Sequence, residues 1–350
     1  MRVGIVGFPG SGKTSVFNAL TGLSAETGYG AARGRANVGV IKVPDARVDK
    51  LAALCNPKKV TFAEISFVDY AAAAETAASG QALDPKALQE LRACDAFALV
   101  VRGFETDRPA DPGGELRGLE EELILGDLGA AEKRFERLGK EGKADSREAK
   151  LVGRVKEHLD ATQPLRLLAL TADDRALLAG FQFMSLKPLV VLLNVGEGDV
   201  HAPVPAALAA AAEAAGARAL SLCAKVEMEV AELPPEEQRA FLQELGIAES
   251  ARDVFVRTTY ALLGLMSFLT TGPDECRAWT IPVGTIALKA AGKIHTDIER
   301  GFIRAEVMRF DDYVAAGGSE AKVKEAGKFR VEGKDYVVLD GDIVHFRFNV

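Results

Sequence analysis

The sequence predicts an α/β protein built around a parallel sheet, and three observations carry that prediction. A short apolar strand at the amino terminus runs straight into a glycine-rich turn and then into a helix-patterned segment. A second run, Leu189-Val190-Val191-Leu192-Leu193, has the unbroken apolar character of a parallel strand covered on both faces. The length of 350 residues leaves room for two or three domains, each with its own core.

Composition removes several classes. With 48% hydrophobic and 27% charged residues the chain is neither disordered, collagen-like nor a coiled coil. Its 43 basic and 50 acidic residues leave a net charge of −7, so no protein-wide positive field recruits RNA or a membrane, although a local basic patch is still open. Cys55, Cys94, Cys223 and Cys276 are scattered without a C-x-x-C pair or zinc-type spacing. Cys94 lies beside the apolar run 96–101, as a buried free thiol would. His158, His201, His295 and His345 are equally dispersed, so no metal cluster is expected. No apolar run approaches the roughly twenty residues that span a bilayer. The chain begins at once with a strand, so no cleavable leader is expected, and the expected location is cytoplasmic.

Taken in chain order, Val3, Ile5 and Val6 form the first strand, and Gly7-Phe8-Pro9-Gly10-Ser11-Gly12-Lys13-Thr14 then fits G-x-x-x-x-G-K-[ST] without a mismatch. Val16, Phe17 and Leu20 follow at helical spacing. Glycines allow successive backbone N–H groups to converge on phosphate oxygens, and the helix amino terminus adds partial positive charge. Pro9, Gly10, Ser11, Gly12, Lys13, Thr14 and Ser15 are therefore the candidate phosphate-binding residues. Lys13, reaching the outer phosphates, is the candidate catalytic group, and the Thr14 hydroxyl is a candidate Mg²⁺ ligand.

Farther along, Ile65 and Phe67 alternate with Glu64 and Ser66 in a strand that ends at Asp69. A carboxylate there suits a second Mg²⁺ partner, or equally a cap on the next helix. The strand 189–193 ends at Asn194-Val195-Gly196-Glu197, and Ala219-Leu220-Ser221-Leu222-Cys223-Ala224-Lys225 forms another strand and loop. Switch GTPases read their base with Asn-Lys-x-Asp after one strand and a Ser-Ala-Lys loop after the next. Asn194, Glu197, Ser221, Cys223 and Ala224 are the corresponding candidates.

These segments, together with Asn37-Val38-Gly39-Val40, residues 95–104 and residues 227–233, give the chain an end-to-end likeness. The densest part is carboxyl-terminal: Arg277-Ala278-Trp279-Thr280, residues 291–297, residues 301–306 and residues 341–350. The chain resembles the YchF subfamily of Obg-like P-loop NTPases. The resemblance implies a doubly wound nucleotide-binding domain of G type from residues 1–105 and 186–275, a helical-hairpin insert at 106–185, and a β-grasp domain of the TGS type at 276–350. The residues agree independently. Leu128, Ala131, Phe135 and Leu138 recur at helical spacing, as do Leu151, Val152, Val155 and Leu159, with a glycine- and charge-rich break at 139–145. Residues 302–308 and 343–348 alternate with period two, which sets His345 and Arg347 opposite Val344, Phe346 and Phe348. His295, in a turn-like run far from the phosphate loop, reads as structural or as part of an interface.

Base choice follows from chemistry. Guanine offers N1–H and N2–H₂ to the aspartate of Asn-Lys-x-Asp. Here Val195 replaces the lysine and Glu197 the aspartate, and a site that stops requiring an N1–H donor loses its reason to reject ATP. The resemblance implies ATP as ligand, with GTP as the alternative, Mg²⁺ as cofactor, and a ribosome or structured RNA as partner of a monomer.

Four departures from the family pattern fall on γ-phosphate sensing. Ala72 stands where the family has the glycine of Asp-x-Ala-Gly-Leu, and most glycines of the following segment, residues 74–85, are replaced. The first-switch threonine aligns with Arg33, and the histidine before Val-Val-Arg aligns with Leu99. Two functional classes remain: a slow NTPase switch, and a hydrolysis-deficient nucleotide-binding scaffold.

Overall fold

The computed structural model describes residues 1–25, 36–70, 83 and 85–349. Arg33, Ala72 and most of residues 74–85 therefore lie outside the described residues. Twelve strands run through the described residues: β1 (Arg2–Val6), β2 (Ala36–Lys42), β3 (Lys59–Thr61), β4 (Glu64–Tyr70), β5 (Ala96–Gly103), β6 (Leu189–Val195), β7 (Arg218–Leu222), β8 (Leu265–Thr270), β9 (Glu275–Pro282), β10 (Phe302–Arg309), β11 (Arg330–Glu332) and β12 (Asp342–Phe348). They form two six-stranded sheets, and the chain divides into two compact units.

The first unit comprises Met1–Ile41 and Ser66–Phe255. Its sheet has the order β2-β4-β1-β5-β6-β7, and β4, β1, β5, β6 and β7 pair in parallel. All seven residues of β6 are buried, as are the first six of β5, because helices cover both faces of such a sheet. This is the predicted α/β class. Register places the functional ends together. Ile5 lies opposite Asp69, Val6 opposite Leu99, Arg102 opposite Asn194, and Asn194 opposite Leu222. The loops that leave these carboxyl ends are where open α/β sheets bind ligands.

A helical hairpin belongs to the same unit. Helix Pro112–Lys140 starts at an Asp111 cap, and helix Arg147–Asp160 starts at Ser146, whose hydroxyl accepts from the Ala149 N–H. The turn falls in the glycine- and charge-rich break, as expected. Ala131, Leu138, Leu151, Val152, Val155 and Leu159 pack in one core, with Leu128 against it. Phe135 is the exception at 43% exposure. It lies over Gly153, which offers no side chain to cover it; a Cβ there would stand 3.4 Å from the ring.

The second unit comprises Lys42–Ile65 and Val256–Val350. Residues 42–65 thus group with the carboxyl-terminal segment. Its sheet runs β11-β10-β12-β8-β9-β3, with β8 and β12 parallel at the centre and each flanked by an antiparallel neighbour. Helix Ala287–Ile294 buries Ala287 and Ala290 in the core formed by Met266, Phe268, Val307 and Val344. A hairpin, a helix and a returning strand that pairs with the first is the β-grasp topology. Val344 and Phe346 point into this core as predicted, whereas Phe348, at the strand's end, is 43% exposed. His295 caps helix Thr296–Arg300 by accepting the Asp297 N–H at its Nδ1, a structural role.

Candidate functional site

The turn between β1 and helix Lys13–Thr21 follows the phosphate-loop pattern in its backbone as well as its sequence. Gly12 precedes the helix at φ 87°, a left-handed conformation that a side chain would strain, and a Cβ there would meet the Asn194 amide at 2.3 Å. Gly7 is held as tightly, since a Cβ would lie 2.4 Å from the Val100 carbonyl oxygen. The helix start has no side-chain cap and no carboxylate in its first turn, so its leading N–H groups stay open to an anion. Pro9, Gly10 and Ser11 form the turn; Lys13, Thr14 and Ser15 form the first helical residues.

Lys13 bends back over the loop. Its ammonium donates to the carbonyl oxygens of Gly7 and Phe8 at 2.7 and 3.0 Å. Burial pulls its pKa down to about 8, against the opposing pull of the Asp69 and Glu115 carboxylates. A phosphate would supply the charge that the loop carbonyls only approximate.

Asp69, at the end of β4, is fully buried and accepts from the Thr14 hydroxyl at 3.0 Å and from the Asn37 amide at 3.4 Å, both through Oδ2. Burial raises its pKa above the ordinary carboxylate range, although Thr14, Lys13 and Asn37 oppose the rise. Its other oxygen has no hydrogen-bond partner among the described residues, and the same holds for the buried hydroxyls of Ser11 and Ser221. An orphaned buried polar atom costs roughly 1–3 kcal/mol, which a ligand or its water would recover. No group of three or more metal-ligating side chains occurs among the described residues. The Thr14 hydroxyl and the unpartnered Asp69 oxygen are hard oxygen donors that fit a cation taking its remaining oxygens from phosphate and water.

The second half of the site lies across β6 and β7. Asn194 donates from Nδ2 to the Ser11 carbonyl at 3.1 Å and accepts at Oδ1 from the Ala224 N–H at 3.2 Å. One buried amide thus ties the phosphate loop to the start of helix Ala224–Glu232. Cys223 is a buried free thiol just before that helix. Glu197 begins a single turn of 3₁₀ helix and pairs with the Lys225 ammonium at 2.8 Å.

These bonds tie the phosphate loop to Asp69, Asn194 and Ala224; Glu197 follows Asn194 by three residues, Cys223 precedes Ala224, and Ser221 lies within β7 opposite Leu193. Sequence reasoning gave no role to Asn37, Glu115 or Lys225. Asn37 lies in the family-like segment Asn37-Val38-Gly39-Val40 and Lys225 beside Ala224, but Glu115 comes from the helical insert and carries no local signal. Leu99 is 0% exposed in the middle of β5, packed in the core with Val6 and Val191. A leucine there carries no polar atom with which to orient a water.

A doubly wound sheet carrying this loop, with a threonine–aspartate pair beside it, defines a P-loop NTPase of the G type. Residues 2–125 match the family described as "50S ribosome-binding GTPase", and residues 265–349 match YchF-GTPase_C, described as "Protein of unknown function (DUF933)". The chain is 40% identical over 365 residues to the "Ribosome-binding ATPase YchF" of Bacillus subtilis, covering all of both chains. It is 41% identical over 361 residues to the protein of that name from Haemophilus ducreyi, covering 100% of this chain and 99% of the relative. The solved YchF GTPase of Schizosaccharomyces pombe superposes with a TM-score of 0.85 at 27% identity, covering 99% of this chain and 97% of that one. The chain belongs to the YchF family.

Proposed function

We propose that the protein binds ATP with Mg²⁺ at this site, hydrolyses it slowly, and acts in association with the ribosome. The observation that carries the nucleotide reading is the convergence of Lys13, Thr14, Asp69 and Asn194 on one uncapped helix start, with unpartnered oxygens around it. Thr14 and Asp69 would hold Mg²⁺, which supplies charge neutralisation at the phosphates when bound. Lys13 would exchange its two carbonyl partners for phosphate oxygens, and Asn194 would hold the phosphate loop and the base-side loop at a fixed separation. The name shared by the relatives, ribosome-binding ATPase, supports both the adenine nucleotide and the partner. Functionally we keep three parts: the nucleotide-binding domain at 1–105 and 186–275, the hairpin at 106–185, and a TGS-like domain at 276–350 as the surface for RNA or ribosome contact.

One observation favours the second reading, a nucleotide-binding scaffold without turnover. Leu99 occupies the place of the family histidine and is sealed inside the sheet. A single-turnover assay decides between them, with protein in excess over trace γ-labelled ATP and Mg²⁺. Slow cleavage in the wild type, abolished with binding in Lys13→Ala, is the expected result. Binding without cleavage would establish the scaffold, and ATP failing to bind at all would sink the adenine reading.

A further inference from the structure

We propose that Gly118 is a positioning residue for the nucleotide site: its missing side chain seats the Phe8 ring, and through Phe8 the first hairpin helix sets the phosphate loop. The inference rests on the nucleotide reading above and deepens it.

Three residues of helix Pro112–Lys140, spaced three and four apart, form one stripe: Glu115, Gly118 and Glu122. Each meets a different segment of the nucleotide-binding unit. Glu115 Oε2 accepts the Arg102 N–H at 2.9 Å, where β5 ends opposite Asn194. Glu122 accepts the Leu83 N–H at 3.0 Å. Gly118, between them, lies at the tip of Phe8, the second residue of the phosphate loop. A Cβ there would stand 2.9 Å from Cζ, against 3.5 and 3.9 Å from the two Cε atoms, so it would meet the ring end-on. The direction of that approach matters. Cζ lies on the axis about which χ2 turns, so flipping the ring gives no relief. Withdrawal has to come from χ1 or from the backbone, and the ring is packed against the core that holds Leu116 and Leu119. The backbone is no freer, because Gly7 is pressed against the Val100 carbonyl. Movement of Phe8 reaches the phosphate-binding groups at once, since its carbonyl accepts the Ser11 N–H at 3.2 Å and the Lys13 ammonium at 3.0 Å. Helix and loop thus fit as a matched pair, ring against gap, so that displacing the hairpin displaces the phosphate loop.

The test is ATP binding with Mg²⁺ to the full chain in Gly118→Ala, Phe8→Leu, the double variant, Gly129→Ala and Lys13→Ala. Alanine is the better helix former, so Gly118→Ala and Gly129→Ala both favour the helix, but a Cβ at Gly129 has no neighbour within 4 Å. Leucine at position 8 is shorter than phenylalanine and makes room for the added methyl. Expected is a loss of ATP affinity of roughly tenfold in Gly118→Ala and roughly threefold in Phe8→Leu, with the double variant within about twofold of wild type, as for residues in direct contact. Gly129→Ala should bind as wild type does. Rescue in the double variant is the readout that general damage to the fold would not give. Should Gly118→Ala not fold, the double variant must still bind more tightly than Phe8→Leu. Losses that multiply in the double variant, or full affinity in Gly118→Ala, would overturn the proposal and leave the nucleotide site standing. Wild-type affinity in Lys13→Ala would instead overturn the site reading and the proposal with it.

Discussion

The ammonium of Lys13 is poorly hydrated and makes do with two carbonyl oxygens, which is why its pKa falls to about 8. An unfolded lysine titrates near 10.4. Between those values the unfolded chain binds more protons than the folded one, so this group's penalty on stability is complete below about 8 and is relieved as pH rises. A bound polyphosphate reverses the shift by stabilising the charged form. Nucleotide binding should therefore take up a proton at about pH 9 and almost none at about pH 7. Calorimetry in buffers of different ionisation enthalpy measures this directly, and equal uptake at both pH values would contradict it. The phosphate loop was legible from sequence because its chemistry lies in eight contiguous residues. Asn37 and Glu115 were not, because they reach the site through a sheet register and a helix insertion that no local pattern encodes. The roles of Arg33 and Ala72 fall on residues outside those the structure describes.

Helix and strand patterns set the next level. In the hairpin, Leu138 and Leu159 are buried at 0% and 1%. Leu138→Ala or Leu159→Ala should each cost about 2–5 kcal/mol of stability by urea denaturation, the usual range for a leucine cavity. Phe135→Ala, at the exposed edge of the same helix, should cost well under that. Periodicity found this face because Ala131 and Leu138 recur seven apart, and it misplaced Phe135 because spacing alone does not show that the facing residue is a glycine. The same limit applied to β12, where alternation placed Val344 and Phe346 correctly but could not show that the core ends before Phe348. The strands of the parallel sheet read clearly, since burial on both faces leaves an unbroken apolar run.

Across the whole molecule, the sequence suggested that the carboxyl-terminal domain begins near residue 276. The sheet of the second unit takes its central strand β8 from residues 265–270 and its edge strand β3 from residues 59–61. A fragment of residues 276–350 lacks both, and also lacks helix Ala46–Cys55. It should show no cooperative thermal transition by circular dichroism, whereas residues 42–65 joined by a flexible linker to residues 256–350 should melt as one transition. A cooperative melt of the shorter fragment would refute this. Such pairing was illegible because β3 is only three residues long, and its Thr61 meets Glu275 across 214 residues of chain. Synthesis gives that separation a duration. At about 5–20 residues per second, β9 leaves the translating ribosome roughly 10–40 s after β3. Throughout that interval Val48 and Leu51, each 1% exposed in the finished protein, stay uncovered. The nascent chain therefore carries the apolar face of helix Ala46–Cys55 uncovered through most of its own translation, and that is the window in which a chaperone has the most to protect.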